Sequence, residues 1–282
     1  MLHSKKKIAR TITGQSETVS KSSIKIDNFL IPGVLGAIPV RLYRPVGGLI
    51  LPLVLYFHGG GFIGGTLDDA DIPAQVIAAE SQAAVLSVGY SLAPARPFPA
   101  APEDAFSAIS WVQKNAAAIA VDAGRIAVAG DDAGGNLATS LTMIARDRHA
   151  SPILAQGLIG PMLDPSMTRL GDVKKNDSDQ TVQQCAACYR QYLPQTLQRF
   201  HPYAAPLESR RLQGLPPAFI ATAEHDVLHV EAEKYAAELI AAGVATQVAR
   251  YAGVRHGSLL HHAPALSDLA AFLHRRLHTA IT

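Results

Sequence analysis

Four short segments of this chain carry groups that could act together on a reactive substrate. His58-Gly59-Gly60-Gly61-Phe62 directly follows an apolar stretch that ends in Tyr56-Phe57. Consecutive glycines let a backbone approach a substrate closely and aim N–H groups at developing negative charge. A tight turn explains one or two such glycines and explains the whole run less well. Ala129-Gly130-Asp131-Asp132-Ala133-Gly134-Gly135-Asn136 lies between an apolar run starting at Ile126 and an apolar helical pattern. Small residues around position 132 suit a strained strand-to-helix turn whose central side chain must project without a clash. Asp132 is then the candidate nucleophile or base, and the Ala133 N–H joins those of Gly60 and Gly61 in an oxyanion hole. Taken alone, the segment also reads as a glycine-rich turn whose aspartate caps a helix.

An acid and a histidine follow, in the chain order such a site requires. Thr222-Ala223-Glu224-His225-Asp226-Val227-Leu228 sets Asp226 just past a strand, and Gly253-Val254-Arg255-His256-Gly257 sets His256 in a loop past the next one. A single Asp or His in a loop is usually just solvated. Two at one sheet edge read as an orienting acid and a proton-transfer group. Cys185 and Cys188 form a Cys-x-x-Cys pair but lack the strand-then-helix context of a redox site, so they read as incidental. His261 and His262 are adjacent and cannot face one site from a helix, so they read as surface residues. Neither a metal nor an organic cofactor is expected.

Groups so far apart in sequence need a scaffold that gathers them. Residues 39–43, 51–57, 84–89, 126–130, 154–159, 218–222 and 246–251 are short, mostly apolar runs, several with β-branched residues, and predict strands. Helical patterns cover 101–114, 134–145, 230–242 and 263–277. Alternation of this kind implies right-handed crossovers and a mainly parallel sheet covered on both faces, with reactive groups beyond the carboxyl ends of its strands. Residues 1–25 are polar and read as a tail or part of a lid. The stretch 166–206 breaks the rhythm, holds both cysteines with Tyr189, Tyr192 and Tyr203, and reads as a lid insertion within a single domain spanning 1–282.

Composition narrows the function class. The chain has 282 residues, 48% apolar and 17% charged, which suits one well-packed α/β domain and argues against disorder. A formal charge of +2 points to no nucleic-acid partner, and Lys5, Lys6 and Lys7 read as a solvated tail. The first thirty residues show no signal-peptide apolar core, and no later run of about eighteen apolar residues is present to span a membrane. The expectation is a cytoplasmic protein acting on a small-molecule substrate or ligand, with a homodimer left open.

With these motifs in place, the chain resembles the hormone-sensitive lipase family of bacterial esterases. The resemblance runs from Val40-Arg41-Leu42-Tyr43-Arg44-Pro45 through the His-Gly-Gly-Gly segment to Tyr90-Ser91-Leu92-Ala93-Pro94 and Phe98-Pro99-Ala100-Ala101. It continues through the segment around Asp132, Leu215-Pro216-Pro217-Ala218, and the Asp226 and His256 segments. It implies an α/β-hydrolase fold with a mainly parallel eight-stranded sheet, helices on both faces and a small lid. It also implies an oxyanion hole at Gly60, Gly61 and Ala133, with Asp226 orienting His256. Three departures stand out: Asp132 replaces the family's serine, Ala95 replaces its usual glutamate, and the N-terminal lid helices look shortened.

The aspartate changes the chemistry. Carboxylate attack on an acyl carbon would give an anhydride, so ordinary acyl-enzyme catalysis should be severely impaired. Attack on a saturated carbon bearing a strained or good leaving group gives an ester on Asp132, which water activated by His256 could cleave with the oxyanion hole assisting. Epoxide hydrolases and haloalkane dehalogenases resemble this arrangement. The lid tyrosines could bond an epoxide oxygen, whereas Trp111, the single tryptophan, sits on a helix and is not placed to cradle a halide. Asp132 could also serve as a base toward water. Two other readings stay open: a silent family member that binds a small ligand, its histidine locked as imidazolium by two carboxylates, and a serine esterase altered at position 132.

Overall fold

The computed structural model describes residues 23–47 and 50–279. Its centre is an eight-stranded sheet made of β1 (Ile24–Gly33), β2 (Gly36–Pro45), β3 (Leu51–Phe57), β4 (Ala84–Val88), β5 (Val121–Asp131), β6 (Ile153–Ile159), β7 (Ala218–His225) and β8 (Thr246–Arg255). The order across the sheet is β1-β2-β4-β3-β5-β6-β7-β8. β2 runs antiparallel to both β1 and β4, and every pairing from β4 to β8 is parallel. The inner strands β3 and β4 are buried along their whole length, as a strand covered on both faces must be.

Helices cover both faces. α1 (Asp71–Ser81) and α8 (Ala263–His278) pack on one side, where Val54, Tyr56, Ala127, Ala129 and Phe272 form part of a buried cluster. α2 (Ala100–Asn115), α3 (Ala133–Asp147) and α6 (His229–Ala241) lie on the other, over Leu53, Leu55, Phe57, Val128 and Leu158. α3 is buried from Ala133 through Ala145. It is therefore the most enclosed helix, and it starts directly beneath the reactive edge.

Between β6 and β7 the chain leaves the sheet to form the expected insertion, with α4 (Val173–Asn176), α5 (Val182–Tyr192) and two short 3-10 turns at Thr196–Phe200 and Pro206–Glu208. Thr181 and Gln184 cap α5 reciprocally. A last short helix, α7 (His256–Leu259), opens on the histidine singled out above.

Three expectations need correction. The sheet starts at Ile24, so residues 24 and 25 belong to β1 and not to a tail or lid; of the rest of that reading, Ser23 is exposed just before the strand and 1–22 lie outside the described residues. β1 is an edge strand in which Ile31 alone is buried, so its sequence lacks the apolar run of an inner strand. α1 was not expected, since its small residues and Pro73 give no distinct helical stripe. His256 stands at the head of a helix and not within a loop.

Candidate active site

β5 delivers Asp131 to the carboxyl edge, and the chain reverses into α3 through Asp132, whose φ of 52° and ψ of −117° are strained for a residue with a side chain. The strain is held from several sides. The Asp132 N–H donates to the Ile159 carbonyl at 2.9 Å, and its carbonyl accepts from Met162 N–H at 3.1 Å. Asn136 braces the following turn by donating from Nδ2 to the Met162 and Ala204 carbonyls. A Cβ on Gly134 would run into the Phe57 carbonyl oxygen, so glycine there lets β3 and α3 close on the elbow.

The loop after β3 approaches from the other side. Gly60 and Gly61 take positive φ values of 112° and 60°, turning their N–H groups toward Asp132. Both donate to Asp132 Oδ2, at 3.0 and 2.8 Å. Ala133, next in the chain, is the buried first residue of α3. His58 is buried and stacks on Tyr90 at 4.4 Å, while the Tyr90 hydroxyl donates to the His58 carbonyl, so this histidine holds the loop. Burial lowers its pKa, favouring the neutral ring. Ala95 is exposed; the neighbouring turn is tied down by Ser91 N–H donating to Asp104 at 2.9 Å.

Asp226 and His256 meet Asp132 at this edge. Asp226 is fully buried, accepts from Leu228 N–H at 2.9 Å through Oδ1, and faces His256 Nδ1 at 2.8 Å through Oδ2. His256 Nε2 lies 3.8 Å from Asp132 Oδ1. Burial works against the imidazolium, but Asp226 first, then Asp132 and Asp179, overcome it and raise the His256 pKa to about 9. The ring, set between the side chains of Asp226 and Asp132, is thereby favoured in its cationic form. The two oxygens of Asp132 are not equivalent. Oδ2 is fixed by two N–H groups, whereas Oδ1 is buried and has no hydrogen-bond partner among the described residues.

The sequence left out several neighbours. Asp131, next to the elbow, is buried and accepts from the Tyr56 hydroxyl at 2.8 Å. Burial pushes its pKa up to about 7; Asp132 adds to the rise, while Tyr56 and His256 oppose it. Its place beside Asp132 in the motif was the available signal, but strand alternation turns its side chain to the other face of the sheet. Cys188 on α5 packs against Gly61, since a Cβ there would meet its Sγ, so the pair read as incidental includes one wall of the site. Burial raises both thiols, consistent with packing and not with reactivity. Of the lid tyrosines, Tyr203 donates to Asp147, while the buried hydroxyls of Tyr189 and Tyr192 find no partner among the described residues. Tyr192 stacks on Phe62 at 3.8 Å and Tyr189 tilts over it at 5.8 Å, so α5 closes over the glycine loop. Trp111 packs on Phe29. His261 is exposed and His262 half-buried beside Tyr251. Among the described residues no group of three or more His, Cys, Asp or Glu could hold a metal ion, and no helix is long and apolar enough to cross a membrane.

Comparison with known proteins agrees with this geometry. Residues 54–260 match the alpha/beta hydrolase fold family. Over 226 residues the chain is 42% identical to the carboxylesterase NlhH of Mycobacterium tuberculosis, covering 78% of this chain and 70% of that one. It is 37% identical to an ethyl acetate hydrolase of Pseudomonas putida over 237 residues, 80% of this chain and 74% of the relative. Among solved structures, the thermostable carboxylesterase EstE1, cloned from a metagenomic library, superposes with a TM-score of 0.87 at 34% identity, covering 92% of this chain and 91% of that chain. An esterase of the archaeon Pyrobaculum calidifontis superposes with a TM-score of 0.83 at 39% identity, over 89% and 83%. The chain belongs to the α/β-hydrolase fold family as an esterase-type hydrolase related to the hormone-sensitive lipase carboxylesterases, with Asp132 at the elbow where those enzymes carry serine.

Proposed function

We propose that this protein hydrolyses a small, uncharged electrophile by covalent catalysis through Asp132, attacking a saturated carbon such as that of an epoxide or the alkyl carbon of an activated ester. The observation that carries the reading is the division of labour within one carboxylate: Oδ2 rests on the Gly60 and Gly61 amides while Oδ1 is free and faces His256.

Oδ1 attacks the carbon, the carbon–oxygen bond breaks, and the leaving oxygen takes the proton from Nε2 of the His256 imidazolium. The ester so formed already has its carbonyl oxygen, Oδ2, in the oxyanion hole. Two things then make His256 a base: it has given up its proton, and the neutralised Asp132 no longer favours the cation. It accepts a proton from water as that water attacks Cγ, the charge passes to Oδ2, and Gly60 and Gly61 stabilise it, with Ala133 N–H as the third donor of this reading. Collapse breaks the Cγ–Oδ1 ester bond, and His256 protonates the departing alkoxide. The resulting carboxylic acid returns its proton to His256, restoring carboxylate and imidazolium. The net reaction is addition of water to the substrate. Asp226 orients His256 and supports its charge throughout. Asp132 as a base toward water is the second form of this reading.

The rival reading, a silent protein that binds a small ligand, draws on the same observation, because a substrate carbonyl cannot enter a hole that Asp132 fills. One experiment separates the three. With enzyme in excess over a small epoxide in ¹⁸O-water, a nucleophilic Asp132 yields a first-turnover diol without label and places ¹⁸O in the Asp132 carboxylate. Label in that first diol makes Asp132 a base, and absence of diol from an epoxide panel leaves the binding protein. The two cysteines are unbridged and fit a reducing cytoplasm, where we place the enzyme, working as one domain with 166–206 as its lid and with a homodimer open.

A further inference from the structure

The turns that carry Asp226 and His256 do not support themselves. Both are gripped by four consecutive residues of the insertion. Asn176 donates from Nδ2 to the Asp226 carbonyl at 3.3 Å, and its own carbonyl lies 2.7 Å from His225 Nδ1. Ser178 Oγ accepts from Val227 N–H at 3.2 Å. Asp177 binds Arg255 through its carboxylate and, at 2.7 Å, through its carbonyl. Asp179 completes the set, with Oδ1 accepting from His256 N–H and Oδ2 from Gly257 N–H, each at 3.1 Å. Residues 225–227 and 255–257 are thus both fastened to segment 176–179, whose last residue, Asp179, lies 77 residues before His256.

We propose that Asp179 is a positioning residue that ties the docked insertion to His256, fixing the histidine's backbone and setting a further carboxylate near its ring. A histidine held only by Asp226 could still swing with its own backbone. Two N–H donors captured by one carboxylate remove that freedom, so the ring is aimed at Asp132 only while the insertion is in place. The charges around the ring come from different elements. Asp226 stands at the end of β7, Asp132 at the elbow with Asp131 behind it, and Asp179 on the insertion. Arg255, the neighbouring cation, is engaged by Asp177. Asp179 joins Asp226 and Asp132 in favouring the imidazolium against burial.

The inference leans on the proposed reaction for its rate effect but not for its titration effect, which makes the two separable. The test compares full-length parent, Asp179→Ala and Asp179→Asn by NMR titration of ¹⁵N-histidine-labelled protein, by thermal unfolding and by turnover of an epoxide. The His256 resonance is assigned by its loss in His256→Gln. Asp179 is exposed, so both variants should fold. In both, His256 should titrate at lower pH than in the parent. Asp179→Ala should lose about tenfold in kcat with little change in KM. Asp179→Asn keeps one carbonyl acceptor and should recover part of that rate while leaving the titration shifted. An unchanged His256 titration in both variants overturns the proposal, whatever happens to the rate. A parent that opens no epoxide overturns the reaction and leaves the titration result standing.

Discussion

The Gly61 amide sits 2.8 Å from Asp132 Oδ2, so the elbow and the glycine loop, to which the proposed function gives the roles of nucleophile and oxyanion hole, are joined here by a hydrogen bond. A serine at the elbow would leave the hole to the substrate's carbonyl oxygen. In the proposed scheme the carboxylate supplies an oxygen of its own to that hole, which suits an intermediate built on the enzyme better than one built on an acyl substrate.

Replacing Asp132 with serine should therefore reverse the preference. The shorter side chain vacates the hole and presents a hydroxyl toward a histidine relieved of one carboxylate neighbour. Asp132→Ser should hydrolyse short p-nitrophenyl esters at least about a hundredfold faster than the parent, the scale expected when a hole becomes usable. Its epoxide opening should vanish. Initial rates on both substrates check this, and a serine variant as inert as the parent toward esters would show that the pocket, and not position 132 alone, has lost esterase function.

The charge on His256 sets a second expectation. In the proposed scheme the imidazolium donates the first proton, so kcat/KM for an epoxide should hold up through neutral pH and fall as pH rises past about 9, the pKa to which Asp226, Asp132 and Asp179 lift this buried ring. A serine esterase needs the neutral ring and shows the opposite slope. A pH–rate profile that rises between pH 7 and 9 would exclude His256 as the acid. The same residue contributes to stability with the matching sign: its charged form is favoured on folding below about 6.5, and that contribution fades as pH climbs through about 9.

Asp131 offers a third test, on stability alone. Burial holds its proton to about pH 7, whereas in the unfolded chain it ionises near 3.8. Folding is thus opposed increasingly as pH rises from about 4 to 7, after which the effect levels off. Asp131→Asn keeps an acceptor for the Tyr56 hydroxyl and removes the titration. Relative to the parent it should gain stability across that window, by about 4 kcal/mol at most. Denaturant melts of both proteins at pH 4 and pH 7 read the change, and a constant gap would mean Asp131 is ionised in the fold.

The legible parts of this protein were those with a local cause. Glycine runs at 59–61 and 134–135 mark backbone that must pass close to other backbone, and apolar runs such as 51–57 mark buried parallel strands, so the fold and the sites of Asp132, Asp226 and His256 could be read from order and spacing. Edge strand β1 and the small-residue helix α1 were missed because neither buries a patterned face. Tertiary structure alone decided what depends on approach between distant segments. It put Asp132 Oδ2 onto the Gly60 and Gly61 amides, left Oδ1 facing His256, drew Asp179 onto the histidine's backbone and set Cys188 against Gly61. A hydrogen bond between residues seventy positions apart depends on how the strands and the insertion pack, and residue types carry no record of that distance or direction.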